Sequence, residues 1–163
     1  MNTAITLADE EGLESVSLRK LGDRLDVSAM AAYRHVRDKD DLLDAMADEL
    51  YGRVELPSPG QEWWDGLATL ARSVRSVLLA HPWAVPLFAR QLAGPNGAAL
   101  DAAMRNEFSR AGFSAAEADE LHDQLSGMVF ALVVPELRGN TSRAAFERGL
   151  ELLHAGLEAR RAS

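Results

Sequence analysis

The chain has 163 residues, with 17 basic residues against 25 acidic ones for a net charge of −8, and it contains no cysteine. The missing cysteines exclude a disulfide framework and any thiolate metal site. No apolar run approaches the roughly 18 residues that cross a bilayer, and the first residues lack a basic-then-apolar leader pattern, so a cytoplasmic protein with no membrane partner is expected.

The apolar spacing is helical almost throughout, which predicts an all-α fold. A short first helix spans 3–11, and Gly12 ends it. Ser17 caps a second helix over 18–25, and Ser28 caps a third over 29–36. Asp38 caps a fourth, in which Leu42, Leu43, Met46, Ala47, Leu50 and Val54 share one face. Leu56-Pro57-Ser58-Pro59-Gly60 then breaks the chain, dividing a head of residues 1–55 from a second part of residues 56–163.

In that second part a strongly amphipathic helix covers 63–80, stopped by His81-Pro82. A short helix over 85–92 is ended by Gly94-Pro95-Asn96-Gly97, and another covers 98–111. Ser114 and Glu117 have the spacing of a capping box, opening a long helix to 134 before Pro135 interrupts. A final helix starts at Thr141 or Ser142 and reaches 160.

The stretch 17–36 reads as two short capped helices joined by a tight turn. Leu18, Leu21, Leu25, Val27, Met30 and Val36 close a small core, while Gly22, Ala29, Ala31 and Ala32 permit a close crossing. That is what a helix-turn-helix needs if its second helix is to enter a major groove about 12 Å wide. Between Ser17 and Lys39 there are six basic and three acidic residues, so a segment of net charge +3 sits inside an acidic chain. A local basic stripe is the electrostatic footprint of DNA binding, although a solvated helical face carries the same charges.

The run 12–50 closely resembles the DNA-binding head of the tetracycline-repressor (TetR) family. The resemblance rests on Gly12-Leu13-Glu14-Ser15-Val16-Ser17-Leu18-Arg19-Lys20-Leu21, Leu25-Asp26-Val27-Ser28, Ala32-Tyr33-Arg34-His35-Val36-Arg37-Asp38-Lys39 and Leu42-Leu43. More loosely, the remainder resembles that family's C-terminal domain. The resemblance implies a transcriptional regulator, a repressor that binds double-stranded operator DNA as a homodimer and is released by a small-molecule effector. It implies that Tyr33 packs on the DNA backbone, that Ser17 and Lys39 contact phosphate, and that Arg19 reaches into the groove. Ser28, Ala29, Met30, Arg34 and His35 complete the expected DNA face. The first helix is shorter than the family pattern and lacks the basic arm that often precedes it, which weakens the expected affinity. The alternative is a helical dimeric ligand-binding or protein-interaction protein whose DNA binding is weakened or lost.

The family dimerises through two helices from each subunit, so Leu121, Leu125, Leu150, Leu153 and Leu157 are expected at a dimer interface, with intramolecular core as the competing role. Aromatic and methionine side chains gather in the middle of the chain, and Trp63, His81, Phe88, Met104, Phe108, Gln124 and Met128 are the candidates for an effector pocket, with ordinary core again the alternative. The position near Glu55, where the family's drug binder places a histidine, is not histidine, so tetracycline is not the expected effector. No cofactor, metal or catalytic residue is expected. His35, His81, His122 and His154 show no metal-binding spacing, and there is no phosphate loop or nucleophile elbow.

Overall fold

The computed structural model describes residues 1–26, 36–89 and 94–162. The helix expected over 29–36 lies outside them but for its last residue. Among the described residues the regular structure is entirely helical. The chain divides into two compact units, residues 1–53 with 81–98, and residues 54–80 with 99–163.

In the first unit, α1 (Asn2–Glu11) ends where Gly12 adopts φ 84°, in the left-handed region that glycine enters without strain. A 3-10 turn (Leu13–Ser15) leads into α2 (Leu18–Leu25), and the hydroxyl of Ser17 accepts the Lys20 N–H at 3.3 Å. α3 (Lys39–Tyr51) is capped by Asp38, whose carboxylate accepts the Asp41 N–H at 2.8 Å. α1 packs on α2, and Ala4, Ile5, Leu7 and Ala8 of α1 and Leu18 and Leu21 of α2 are all buried. Leu25, expected in that core, is 51% exposed. It sits at the end of α2, beside Asp26, which takes the left-handed conformation that terminates the helix.

The segment 81–98 joins this first unit through specific contacts. A 3-10 turn (Pro82–Ala84) and a single helical turn α5 (Val85–Phe88) place Phe88 on Tyr51 of α3, with ring centroids 4.3 Å apart. Asp9 of α1 lies 2.7 Å from His81 Nδ1 and accepts the Trp83 indole N–H at 2.6 Å. Arg53 completes the group, 3.2 Å from His81 Nε2.

The expected break at 94–97 is instead the first turn of α6 (Gly94–Arg110). Proline is well suited to a first helical turn, where no intrahelical N–H bond is required of it. The carboxylate of Asp48, on α3, accepts the backbone N–H groups of Asn96 and Gly97 at 2.9 Å each. This satisfies donors that a helix start leaves open and sets a negative charge at the positive end of its dipole.

In the second unit, α4 (Trp63–Ala80) packs on α7 (Ala115–Leu137), and α7 packs on α8 (Arg143–Arg161). Both hydrogen bonds of the Ser114–Glu117 capping box are formed. α7 does not stop at 134 but runs through Pro135 to Leu137, the proline removing one backbone hydrogen bond near its end. Leu67, Leu70, Leu78, Phe108, Leu125, Val133, Phe146 and Leu150 are almost fully buried. Arg75 of α4 grips Glu136 of α7 through two N–H donors, each side chain under 15% exposed. Arg72 holds Glu147 of α8 in the same manner, with its closest N–H donor at 2.8 Å.

Candidate nucleic-acid interface

Three of the expected DNA-contacting residues fall within the described structure. Ser17 caps α2 with its oxygen accepting from Lys20, and this leaves the hydroxyl hydrogen available to a phosphate oxygen. Arg19 is exposed in the first turn of α2, and Lys39 is exposed as the first residue of α3. Neither cation has an acidic partner among the described residues. A helix start carrying a free cation and open N–H groups suits an anion. Ser28, Ala29, Met30, Tyr33, Arg34 and His35 lie outside the described residues.

The remaining described cations of the stripe are spent within the chain. Lys20 Nζ sits 2.6 Å from Glu11, Arg24 pairs with Glu10, and Arg37 grips Asp41 with Nε 2.6 Å from the carboxylate. The Arg37 side chain and backbone N–H hold the Asp41 carboxyl down at about 2, and the Lys20 hydrogen bond lowers that of Glu11. Counting charges along the sequence missed these pairings. A signal was nonetheless present, because Asp9-Glu10-Glu11 stands at the C-terminal end of α1, where acidic residues need external partners.

The effector-pocket candidates do not form one group. His81 and Phe88 belong to the first unit, where they are engaged by Asp9, Arg53 and Tyr51. The other five belong to the second unit. Met104 and Phe108 are buried one turn apart on α6, and Phe108 meets Phe113 edge-on at 6.3 Å. Trp63 is buried and carries the Arg161 guanidinium 5.1 Å from its ring centre. Gln124 is exposed and Met128 half-buried, because the buried stripe of α7 runs through Ala118, Leu121, Leu125, Val129 and Val133. A cleft of about 490 Å³ opens beside Phe113, Glu117, Glu158, Arg160 and Arg161 and includes none of the seven candidates. Its charged groups are already paired, Arg160 with Glu117 and Arg161 with Glu158. Among the described residues no cluster of histidine and carboxylates has the make-up of a metal site, and no helix is long and apolar enough to cross a membrane.

Two family models cover most of the chain. Residues 1–46 match the bacterial regulatory proteins of the tetR family, and residues 56–145 match the tetracyclin repressor-like C-terminal domain. The chain belongs to the tetR family. An HTH-type transcriptional regulator of Saccharopolyspora erythraea is 40% identical over 119 residues, which is 72% of this chain and 50% of that protein. The chain thus spans half the length of that relative. ActR of Streptomyces coelicolor in complex with actinorhodin superposes with a TM-score of 0.87 at 27% identity, covering 99% of this chain and 96% of ActR. BioQ with its double-stranded DNA operator gives a TM-score of 0.80 at 26% identity, covering 97% of this chain and 94% of BioQ.

In this tetR-family chain the leucines expected at a dimer interface are mostly interior to one protomer. Leu121, Leu125, Leu150 and Leu157 are 1–3% exposed, so they retain little surface for a partner, while Leu153 is half-buried. They lie on α7 and α8, which pack on each other, and α7 also packs on α4. The neighbouring Leu152 is instead 76% exposed. Heptad-like spacing marks these leucines as buried without saying whether the cover is the same chain or another. The glycines separate the two cases. A Cβ on Gly149 would lie 2.5 Å from Leu132, a close crossing within the protomer, whereas Gly127 and Gly156 face open space.

Proposed function

We propose that the chain is a sequence-specific DNA-binding transcriptional regulator, a cytoplasmic repressor that acts as a homodimer and leaves its operator when a small-molecule effector binds. The observation that carries this reading is the pair of exposed cations, Arg19 and Lys39. They stand unpaired among the described residues at two helix starts, in a chain whose net charge is −8. Membership of a family of regulatory proteins supports it, as does the likeness over nearly the whole chain to one protein bound to its operator and another bound to a small molecule. The head is residues 1–55 and the effector and dimer part residues 56–163.

Two heads must reach half-sites about one helical turn of DNA apart, which a single protomer cannot do. We place the second protomer on α8 at Leu152 and Gly156, four residues apart on one face, where an exposed apolar side chain stands beside open space. Met104, Phe108 and Met128, with Trp63, are the candidate walls of the effector site. An effector acts by binding one arrangement of the heads better than the other, and its differential affinity bounds the shift it produces. The reading assigns the chain no catalytic step.

Fluorescence-anisotropy titration against the DNA flanking the protein's own gene tests the reading. Arg19→Ala and Lys39→Ala weaken binding and flatten its salt dependence while leaving the thermal melt in place. Wild-type affinity in both variants would remove the assignment.

A further inference from the structure

The acidic run that closes α1 is set against its helix dipole and is satisfied entirely from outside the helix. Its last turn holds Asp9, Glu10 and Glu11 and no basic residue, an arrangement the peptide dipoles disfavour. Asp9 is taken by His81 and Trp83. Glu11 Oε2 lies 2.6 Å from Lys20 Nζ, Glu10 pairs with Arg24, and Glu11 Oε1 is 3.7 Å from Arg24. Lys20 and Arg24 are four residues apart on α2 and share one face of it.

In a helix-turn-helix the first of the two helices crosses the phosphate backbone. α2 occupies that place here. The side chains of both pairs are 35–51% exposed, so they are open to competition from solvent ions and from phosphate. Of the described cations between residues 17 and 39, Lys20, Arg24 and Arg37 have carboxylate partners, while Arg19 and Lys39 have none among the described residues.

We propose that Glu10 and Glu11 are internal substitutes for DNA phosphate, which hold Lys20 and Arg24 in intramolecular ion pairs and thereby set the affinity and the salt sensitivity of the head. The proposal rests on the DNA-binding reading above and assigns it two affinity-setting residues. A cation held by a carboxylate does not neutralise a phosphate and so displaces none of the cations condensed on DNA, and each such pair removes one effective phosphate contact.

The test is a salt series of anisotropy titrations of the full chain on a labelled random-sequence duplex. In the Glu10→Gln, Glu11→Gln double variant binding tightens, and the slope of log K against log salt steepens by about 0.9 for each cation released, about 1.8 for both. Lys20→Gln leaves the wild-type slope unchanged but removes about 0.9 from that of the double variant. This dependence on background separates release of a specific cation from a general gain in positive charge. If the double variant loses its cooperative melt, Glu11→Gln alone is used, with an expected steepening of about 0.9. A double variant with the wild-type slope overturns the proposal, as does a Lys20→Gln change that flattens both backgrounds equally. In either case the DNA-binding reading survives if Lys39→Ala still weakens binding. A wild-type protein without salt-dependent binding overturns both.

Discussion

The ring of Tyr51 rests 4.3 Å from that of Phe88, tilted by 49°, and the Tyr51 hydroxyl in this contact is buried without a hydrogen-bond partner among the described residues. The ring contact favours folding and the orphaned hydroxyl opposes it. Tyr51→Phe keeps the first and removes the second, so it is expected to stabilise the protein by about 1 kcal/mol, read as a higher melting temperature in calorimetry. Burial, with the nearby charges of Asp48 and Asp44, pushes the phenol up to about 12. The folded state therefore favours the neutral phenol. Its contribution to stability is complete below about 10 and is lost as pH rises through about 12. In ultraviolet titration the late-ionising phenol should vanish in Tyr51→Phe, and its persistence there would assign it to Tyr33.

Acid acts on the entry to α3 through Asp41. Arg37 holds this carboxyl at about 2, below its ordinary 3.8. A depressed carboxyl contributes fully above the unfolded value and stops contributing as pH falls through the folded one. The Arg37–Asp41 contact should therefore persist down to about 3.8 and be lost towards about 2. A carboxyl-carbon NMR titration of Asp41 measures this, and Arg37→Ala should return the midpoint towards the ordinary value.

Gly149 and Leu132 set a steric prediction. Alanine normally gains about 1 kcal/mol over glycine within a helix. At position 149 the new methyl would lie 2.5 Å from Leu132 Cδ1, so α7 and α8 must separate or Leu132 must leave its rotamer. Leu132 is half-buried and meets the new methyl only with its side-chain end, so Gly149→Ala is expected to change stability by less than about 1 kcal/mol in urea unfolding, the cost of a new Leu132 rotamer offsetting the better propensity. A gain of the full propensity difference would mean that the crossing is looser than described.

Leu152→Glu places a charge at the centre of the proposed dimer face without touching the protomer core, since Leu152 is 76% exposed. Light scattering coupled to size exclusion should show the variant as a monomer with an unchanged melt of its helices, and its DNA affinity should fall with it. A variant that remains dimeric would move the interface elsewhere.

Local rules made much of this fold readable. The Ser17, Asp38 and Ser114–Glu117 caps and the Gly12 stop are set by residues within a turn of each other, and all form as expected. What the local rules missed or left open needed knowledge of distant partners. Gly94-Pro95-Asn96-Gly97 looks like a break until Asp48 is known to cap it. Leu150 and Leu157 show a buried face without identifying its cover. Of the basic stripe, Lys39 and Arg19 stand exposed, whereas Lys20 and Arg24 are taken by acids that the charge pattern leaves unassigned.

The cap that Asp48 supplies to α6 also orders events during folding. Its acceptor comes from 48 and 49 residues earlier in the chain than the two N–H groups it satisfies, so this cap cannot form from the local chain alone. It must wait until α3 has formed and docked. The amides of Asn96 and Gly97 thereby become native reporters of that docking, and their hydrogen-exchange protection should rise and fall with the integrity of α3.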